Sequence, residues 1–188
     1  MATTRRVFTN LKSMKFTPWE GDALSTETVF DVTEIVGDTT SVEQEDSDRN
    51  EIPHEFRAEP LYETVDFGNK TFTTECIDMN NDVLSLLFGW DTDDAGNAFA
   101  PVNYTDKYCK IELAFNSTDD IIVLPKVRLD SRLTLASMKT DVSRGTIAGT
   151  CYSAYVKAGN KTKLTDMAVV AKANIATYTV TATGTESA

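Results

Sequence analysis

Residues 108–115, YCKIELAF, decide the fold class. In an extended chain Cys109, Ile111, Leu113 and Phe115 fall on one face, with Lys110 and Glu112 on the other. That period of two belongs to a half-buried strand. The run that follows at residues 121–137, IIVLPKVRLDSRLTLAS, repeats the pattern over a greater length. Val127, Leu129, Leu133 and Leu135 alternate there with Lys126, Arg128, Asp130 and Arg132. Pro125 interrupts it, and because proline cannot donate to a ladder, it belongs at a sheet edge or a bulge.

Other segments read the same way on either side. At residues 69–78, NKTFTTECID sets Phe72, Thr74 and Cys76 against Thr71, Thr73, Glu75 and Ile77, after a Gly68-Asn69 turn signal. Residues 28–36, TVFDVTEIV, form a strand closed by Gly37-Asp38. Downstream of an Arg144-Gly145 turn, residues 146–156 and 168–182 carry two more strands, with Gly159-Asn160 marking a turn between them. Thr is the commonest residue, at 27 of 188, which fits a chain built mainly of strands. One segment is helical: in MNNDVLSLLFGW, Asn80 or Asn81 caps the start and Asp82 suits the first turn. Val83, Leu84, Leu87 and Phe88 make its apolar face, and Gly89 stops it. Such a helix must lie against a sheet to hide that face.

A length of 188 residues with 41% hydrophobic content predicts one domain with a real core. An amino-terminal arm is expected over residues 1–18 and a flexible tail over 183–188. No apolar run reaches membrane-spanning length and the first residues carry no signal-peptide core, so the expected place of synthesis and assembly is the cytoplasm. Cys76, Cys109 and Cys151 each sit inside a strand-like run, which suits buried free thiols better than disulfides or a zinc knuckle.

The net charge of −11 argues against a nucleic-acid binder, since phosphate contacts need a basic surface. Its distribution is lopsided. Residues 20–94 hold 21 acidic side chains against Arg49, Arg57 and Lys70, whereas the remainder holds 8 acids and 15 bases. If the two halves reach different faces, one copy can dock head-to-tail on the next; if the fold mixes them, the asymmetry cancels.

Catalytic chemistry has little to work with. The lone histidine, His54, would have to anchor any triad, and no phosphate loop, zinc spacing or nucleophile elbow is present. The run at residues 91–97, DTDDAGN, places Asp91, Asp93 and Gly96 at calcium-loop positions one, three and six. Ala95 and Val102 then occupy positions that need ligands, so the run reads as a surface turn. No catalytic residue, metal site or cofactor is expected.

Residues 42–55, VEQEDSDRNEIPHE, gather Glu43, Glu45, Asp46, Asp48, Glu51 and Glu55 around one Arg49. Strand-like flanks tether the stretch at both ends, and a tip this charged cannot fold inward at tolerable desolvation cost. It either stays in solvent or meets basic residues of a neighbour, for which the candidates are Lys126, Arg128 and Arg132, or Arg5 and Arg6.

The order of these segments resembles bacteriophage major tail tube proteins. The resemblance spans residues 28–157 and rests on segment order. It comprises the turn at residues 35–38, the acid-rich loop at 43–51, the E-P-L segment at 59–61, the strand at 71–77 and the N-D-V-L-x-x-L-F-G helix ending at Gly89. It implies a β-sandwich or flattened barrel with one short α-helix at its edge. Copies would form hexameric rings that stack into a tube, with strands of six subunits lining the lumen and a long loop reaching the adjacent ring. That loop maps onto residues 41–54, with Glu43, Glu45, Asp46, Asp48, Arg49 and Glu51 as stacking contacts. The implied place is the virion, among other phage tail proteins, with DNA passing through a lumen whose negative charge keeps it from binding. The Thr-rich carboxyl end has no counterpart in that pattern.

Two rival classes remain at this stage. A β-sandwich binding module for carbohydrate or adhesion would show an exposed aromatic platform, drawn from Trp19, Trp90 and Tyr104. An enzyme working through carboxylates would show a cleft holding a carboxyl of raised pKa.

Overall fold

The computed structural model describes residues 8–26, 30–32, 35–52, 62–66, 68–77, 80–103, 105–134 and 143–183. The chain begins with β1 (Leu11–Glu20), β2 (Ala23–Leu24), β3 (Phe30–Val32), β4 (Ser41–Gln44), β5 (Asp48–Ile52), β6 (Tyr62–Asp66) and β7 (Lys70–Cys76). The helix α1 (Asn81–Phe88) follows, then β8 (Asp91–Thr92), β9 (Ala98–Phe99), β10 (Lys107–Phe115) and β11 (Thr118–Thr134). The last elements are β12 (Arg144–Tyr152), β13 (Ala154–Ala158), β14 (Lys161–Thr165), β15 (Ala168–Val170), a single 3-10 turn (Lys172–Asn174) and β16 (Thr179–Thr181).

All strand pairings among the described residues are antiparallel. The main sheet runs β2-β1-β10-β11-β12-β7-β4, with β3 also on β1 and β15 also on β11. A second sheet runs β14-β13-β16, while β5–β6 and β8–β9 are separate ribbons. The chain is therefore mainly β with a single short helix among the described residues, as expected, and its sheets do not close into a barrel.

The main sheet is covered on both faces. On one face Met14, Phe16, Phe72, Cys76, Cys109, Ile111, Leu113, Leu129 and Ile147 pack with Val83, Leu86 and Leu87 of α1. On the other, Trp19, Ile121 and Val123 meet Ala154, Val156, Val170 and Val180, largely from the second sheet. The helix forms where expected, with Asn80 Oδ1 accepting from Val83 N at 2.9 Å and Gly89 turning left-handed at φ 72°. Its buried stripe includes Leu86 as well as Val83, Leu84 and Leu87, while Phe88 is only partly covered.

Pro125 is where the two layers are set. It lies in an interior strand, at a bulge where the β10–β11 register shifts between Cys109 and Ile111. On its other side β11 changes partner, from β15 at residues 121–123 to β12 from Lys126 onward, so no ladder needs the missing N–H. The bulge reverses the facing of the strand. Val123 serves the second core, whereas Leu124 and then Val127 serve the first. Trp19 Nε1 donates to the freed Pro125 carbonyl at 3.0 Å, tying β1 to the bulge.

Four expectations need correction. Residues 11–18, assigned to an arm, belong to β1, because Met14 and Phe16 are wholly buried; residues 1–7 lie outside the described part. The run 146–156 is two strands, since the chain crosses between layers at Ser153. The region 168–182 divides into β15, the 3-10 turn and β16. Lys110 and Glu112 do not form an open polar face, because Tyr178 covers them. Its hydroxyl donates to the Glu112 carboxylate, and Lys110 Nζ lies 2.6 Å from the same carboxylate and 5.2 Å from the Tyr178 ring. Burial, with Glu112 beside it, pushes the Tyr178 hydroxyl far above its usual range.

Two measurements test this core. Leu87 is 3% exposed, so Leu87→Ala should cost about 2–5 kcal/mol in urea unfolding, and a change near zero would place the helix outside the core. All three cysteines are buried, and burial raises the Cys109 thiol to about 12 and the Cys151 thiol to about 11. A raised folded-state value favours the neutral thiol, so this contribution is intact below about pH 9 and fades as the pH climbs towards 12. The folded protein at pH 8 should resist a thiol reagent that labels all three cysteines once it is unfolded, whereas fast labelling would contradict their burial.

Candidate assembly interface

The acid-rich stretch divides into two structural parts. Its first residues are not a projecting loop: β4 forms an edge of the main sheet, paired with β7 from Ser41↔Thr73 to Gln44↔Lys70. The chain then leaves through a narrow neck. Glu45 N donates to Asn69 O at 3.0 Å, and a Cβ on Gly68 would lie 2.2 Å from the Glu45 carbonyl oxygen, so only glycine fits there. Glu43, Glu45 and Asp46 are exposed and form no ion pair among the described residues.

Past the neck, among the described residues, β5 and β6 pair only with each other, in register Asp48↔Asp66, Arg49↔Val65, Asn50↔Thr64, Glu51↔Glu63 and Ile52↔Tyr62. A lone two-stranded ribbon is already marginal in water. His54 and the rest of the presumed tip, residues 53–61, lie outside the described part.

The expected basic partners occupy one face of β11. Lys126 Nζ sits 5.2 Å from the Trp19 ring and 5.1 Å from the Tyr108 ring, and Arg128 lies 5.9 Å from the Tyr152 ring. Arg132 is largely exposed and reaches Asp130 at 3.8 Å. Arg5 and Arg6 lie outside the described residues. Other cations are committed within the chain, as in Lys70–Asp166 at 2.6 Å, Lys172–Asp119 at 2.9 Å and Arg144–Glu75 at 3.3 Å. The Lys172 pair draws the Asp119 carboxyl below its ordinary value and lifts the amine.

A second basic cluster escaped the reading of the sequence. Lys157, Lys161 and Lys163 are exposed on the β13–β14 hairpin, whose outer strand is a sheet edge, and form no ion pair among the described residues. The signal was available in KAGNKTK at residues 157–163, which drew notice only for its Gly-Asn turn.

The rival chemistries fare as follows. Trp19 is 9% exposed and hydrogen-bonded inside the second core, Trp90 is partly buried and Tyr104 lies outside the described residues, so Trp19 is unavailable to an aromatic platform. Asp93 is consumed by its own turn. Its Oδ1 accepts from Ala95 N at 3.0 Å and Asn97 N at 2.8 Å, and its Oδ2 accepts from Asn97 Nδ2 at 2.8 Å, bonds that hold its carboxyl below the usual range. Among the described residues no group of three His, Cys, Asp or Glu side chains could hold a metal ion. A cleft of about 270 Å³ beside α1 has Lys107 and Ser131 in its wall and no carboxylate. A larger groove of about 610 Å³ has Asp38 alone. Lys107 Nζ donates to the Ser85 carbonyl at 2.6 Å, and burial lowers its pKa.

No protein-family model matches the sequence. No curated protein matches it either. Among solved structures, the chain is similar to one in the cryo-EM structure of the anti-feeding prophage baseplate, 6-fold symmetrised. The TM-score is 0.45 and the identity 13%, over 91% of this chain and 99% of that one.

Proposed function

We propose that this chain is a structural protein of a tailed-phage virion, with no catalytic step, that self-assembles into rings stacked as the tail tube. The observation that carries the reading is the β5–β6 ribbon, which among the described residues pairs with no other strand and whose register partners include Asp48 with Asp66 and Glu51 with Glu63. A lone ribbon of acidic composition is marginal by itself and gains most from a cationic partner.

The segment order shared with tail tube proteins supports the same reading, with a strand and a short capped helix at the positions that order requires. In this arrangement Glu43, Glu45, Asp46, Asp48, Arg49 and Glu51 of one copy face basic residues of the next. The candidates are Lys126, Arg128 and Arg132, with Arg5 and Arg6 and the Lys157, Lys161 and Lys163 cluster. A contact between unlike patches does not close on itself, so it generates rings or filaments. Six copies per ring is the number we adopt. The net charge of −11 suits a conduit that DNA traverses without binding, because phosphates meet no excess of cations.

Negative-stain electron microscopy over a concentration and salt series should show rings or hollow tubes of constant width. Small single particles under every condition would remove the reading. Reversing Glu45, Asp46 and Asp48 to Lys should abolish the tubes while circular dichroism still reports a folded β protein. Tubes that persist in that variant would take the ribbon out of the contact.

A further inference from the structure

Val102, Phe99 and Leu164 are the most exposed large apolar side chains of the described residues, at 98%, 59% and 52%, and of the three only Leu164 belongs to one of the two packed sheets. It lies on β14, an edge strand whose residues Lys161, Thr162, Lys163 and Leu164 are all exposed. Lys161 and Lys163 share one face of the strand, Thr162 and Leu164 the other. An edge guarded by two lysines repels a second copy of itself and favours a strand that brings carboxylates at the same spacing. The β4 edge of the main sheet has that spacing. It exposes Glu43 and Gln44, and Glu45 continues the strand by donating to Asn69 O at 3.0 Å. Glu43 and Glu45 therefore share one face, with Val42 and Gln44 on the other. Within a chain β4 and β14 belong to different sheets and do not pair.

We infer that β14 of one copy pairs antiparallel with β4 of the next, in the register Val42↔Leu164, Glu43↔Lys163, Gln44↔Thr162 and Glu45↔Lys161. Apolar then meets apolar, amide meets hydroxyl, and two carboxylates meet two ammoniums. The backbone agrees independently. Because Glu45 bonds to Asn69, the alternate residues Val42 and Gln44 turn their N–H and C=O away from β7. The two-residue turn Gly159-Asn160 closes on a hydrogen-bonded Ala158–Lys161 pair, so Thr162 and Leu164 turn theirs away from β13. In this register the outward-turned residues face one another, and the Glu–Lys pairs take the alternate positions, where opposed side chains come closest. A shift of one residue loses both matches. Glu43, Glu45, Lys161 and Lys163 form no ion pair among the described residues, and the charges beside them, Lys70 opposite Gln44 and Asp166 after Thr165, cancel each other at 2.6 Å. Each copy offers one edge of each kind, so the contact joins unlike patches and repeats. This inference deepens the assembly reading and rests on it.

The full chain carrying Lys161→Glu with Lys163→Glu should need about ten times the wild-type protein concentration to assemble, by light scattering, with unchanged circular dichroism. Adding Glu43→Lys and Glu45→Lys to that chain should bring the concentration back to within about threefold of the wild type. Independently, in an assembling mixture under mild oxidation, chains carrying Glu43→Cys should cross-link to chains carrying Lys163→Cys, because directly opposed residues lie within disulfide reach and the native cysteines are buried. Chains carrying Lys157→Cys, on the neighbouring strand β13, should not cross-link to Glu43→Cys. Assembly of the lysine-reversed chain at the wild-type concentration, failure of the second pair of reversals to restore it, or tubes in which Glu43→Cys and Lys163→Cys fail to join would each overturn this contact and leave the assembly reading standing. A wild-type chain that never assembles would overturn both.

Discussion

The reversal of facing at Pro125 is the constraint on which the rest of the molecule depends. A single strand, β11, must serve two cores, and an uninterrupted period of two would give each core the same face throughout. The bulge resolves this, and proline suits a place where neither neighbouring strand requires an N–H. The same break lets β12 part from β11 at Ser153 and continue as β13 in the second sheet, with β15 taking the vacated place. Trp19 then fixes β1 to the bulge through its indole N–H. Gly149 belongs to the same region: a Cβ there would lie 2.6 Å from the Arg128 carbonyl oxygen, so the close approach of β12 to β11 requires glycine.

How much of this was legible depends on how many faces of each strand are buried. β7 and β10 bury one face fully against the helix side, and their alternation could be read directly as Phe72, Thr74, Cys76 and Cys109, Ile111, Leu113. The start of β11, IIVL, is covered on both sides, so its period vanishes and the change of facing after it leaves no trace except Pro125 itself. Lys110 and Glu112 read as solvent-facing because nothing local announces Tyr178, 66 residues beyond Glu112 in sequence. The helix was legible because its caps and its apolar stripe are all local. The candidate site was legible in composition but not in form. Six carboxylates in fourteen residues mark an outward-facing segment, yet only the register reveals that its first part is a sheet edge and its second a ribbon with opposed like charges.

Those two parts have different physical standing. β4 is held by the main sheet, whereas the ribbon, among the described residues, has only its own ladder. The neck at Gly68 and Glu45 separates them and fixes the direction in which the ribbon leaves.

Charge and apolar contact would contribute unequally to a joint between copies. Exposed charges act over a distance that salt sets, about 8 Å at physiological ionic strength, so they orient approaching copies and discourage wrong pairings without holding them tightly. Phe99 and Val102 act only on contact, and salt does not screen them. A joint that used the ribbon alone would dissolve as salt rises, and one that used the apolar residues alone would have no preferred direction.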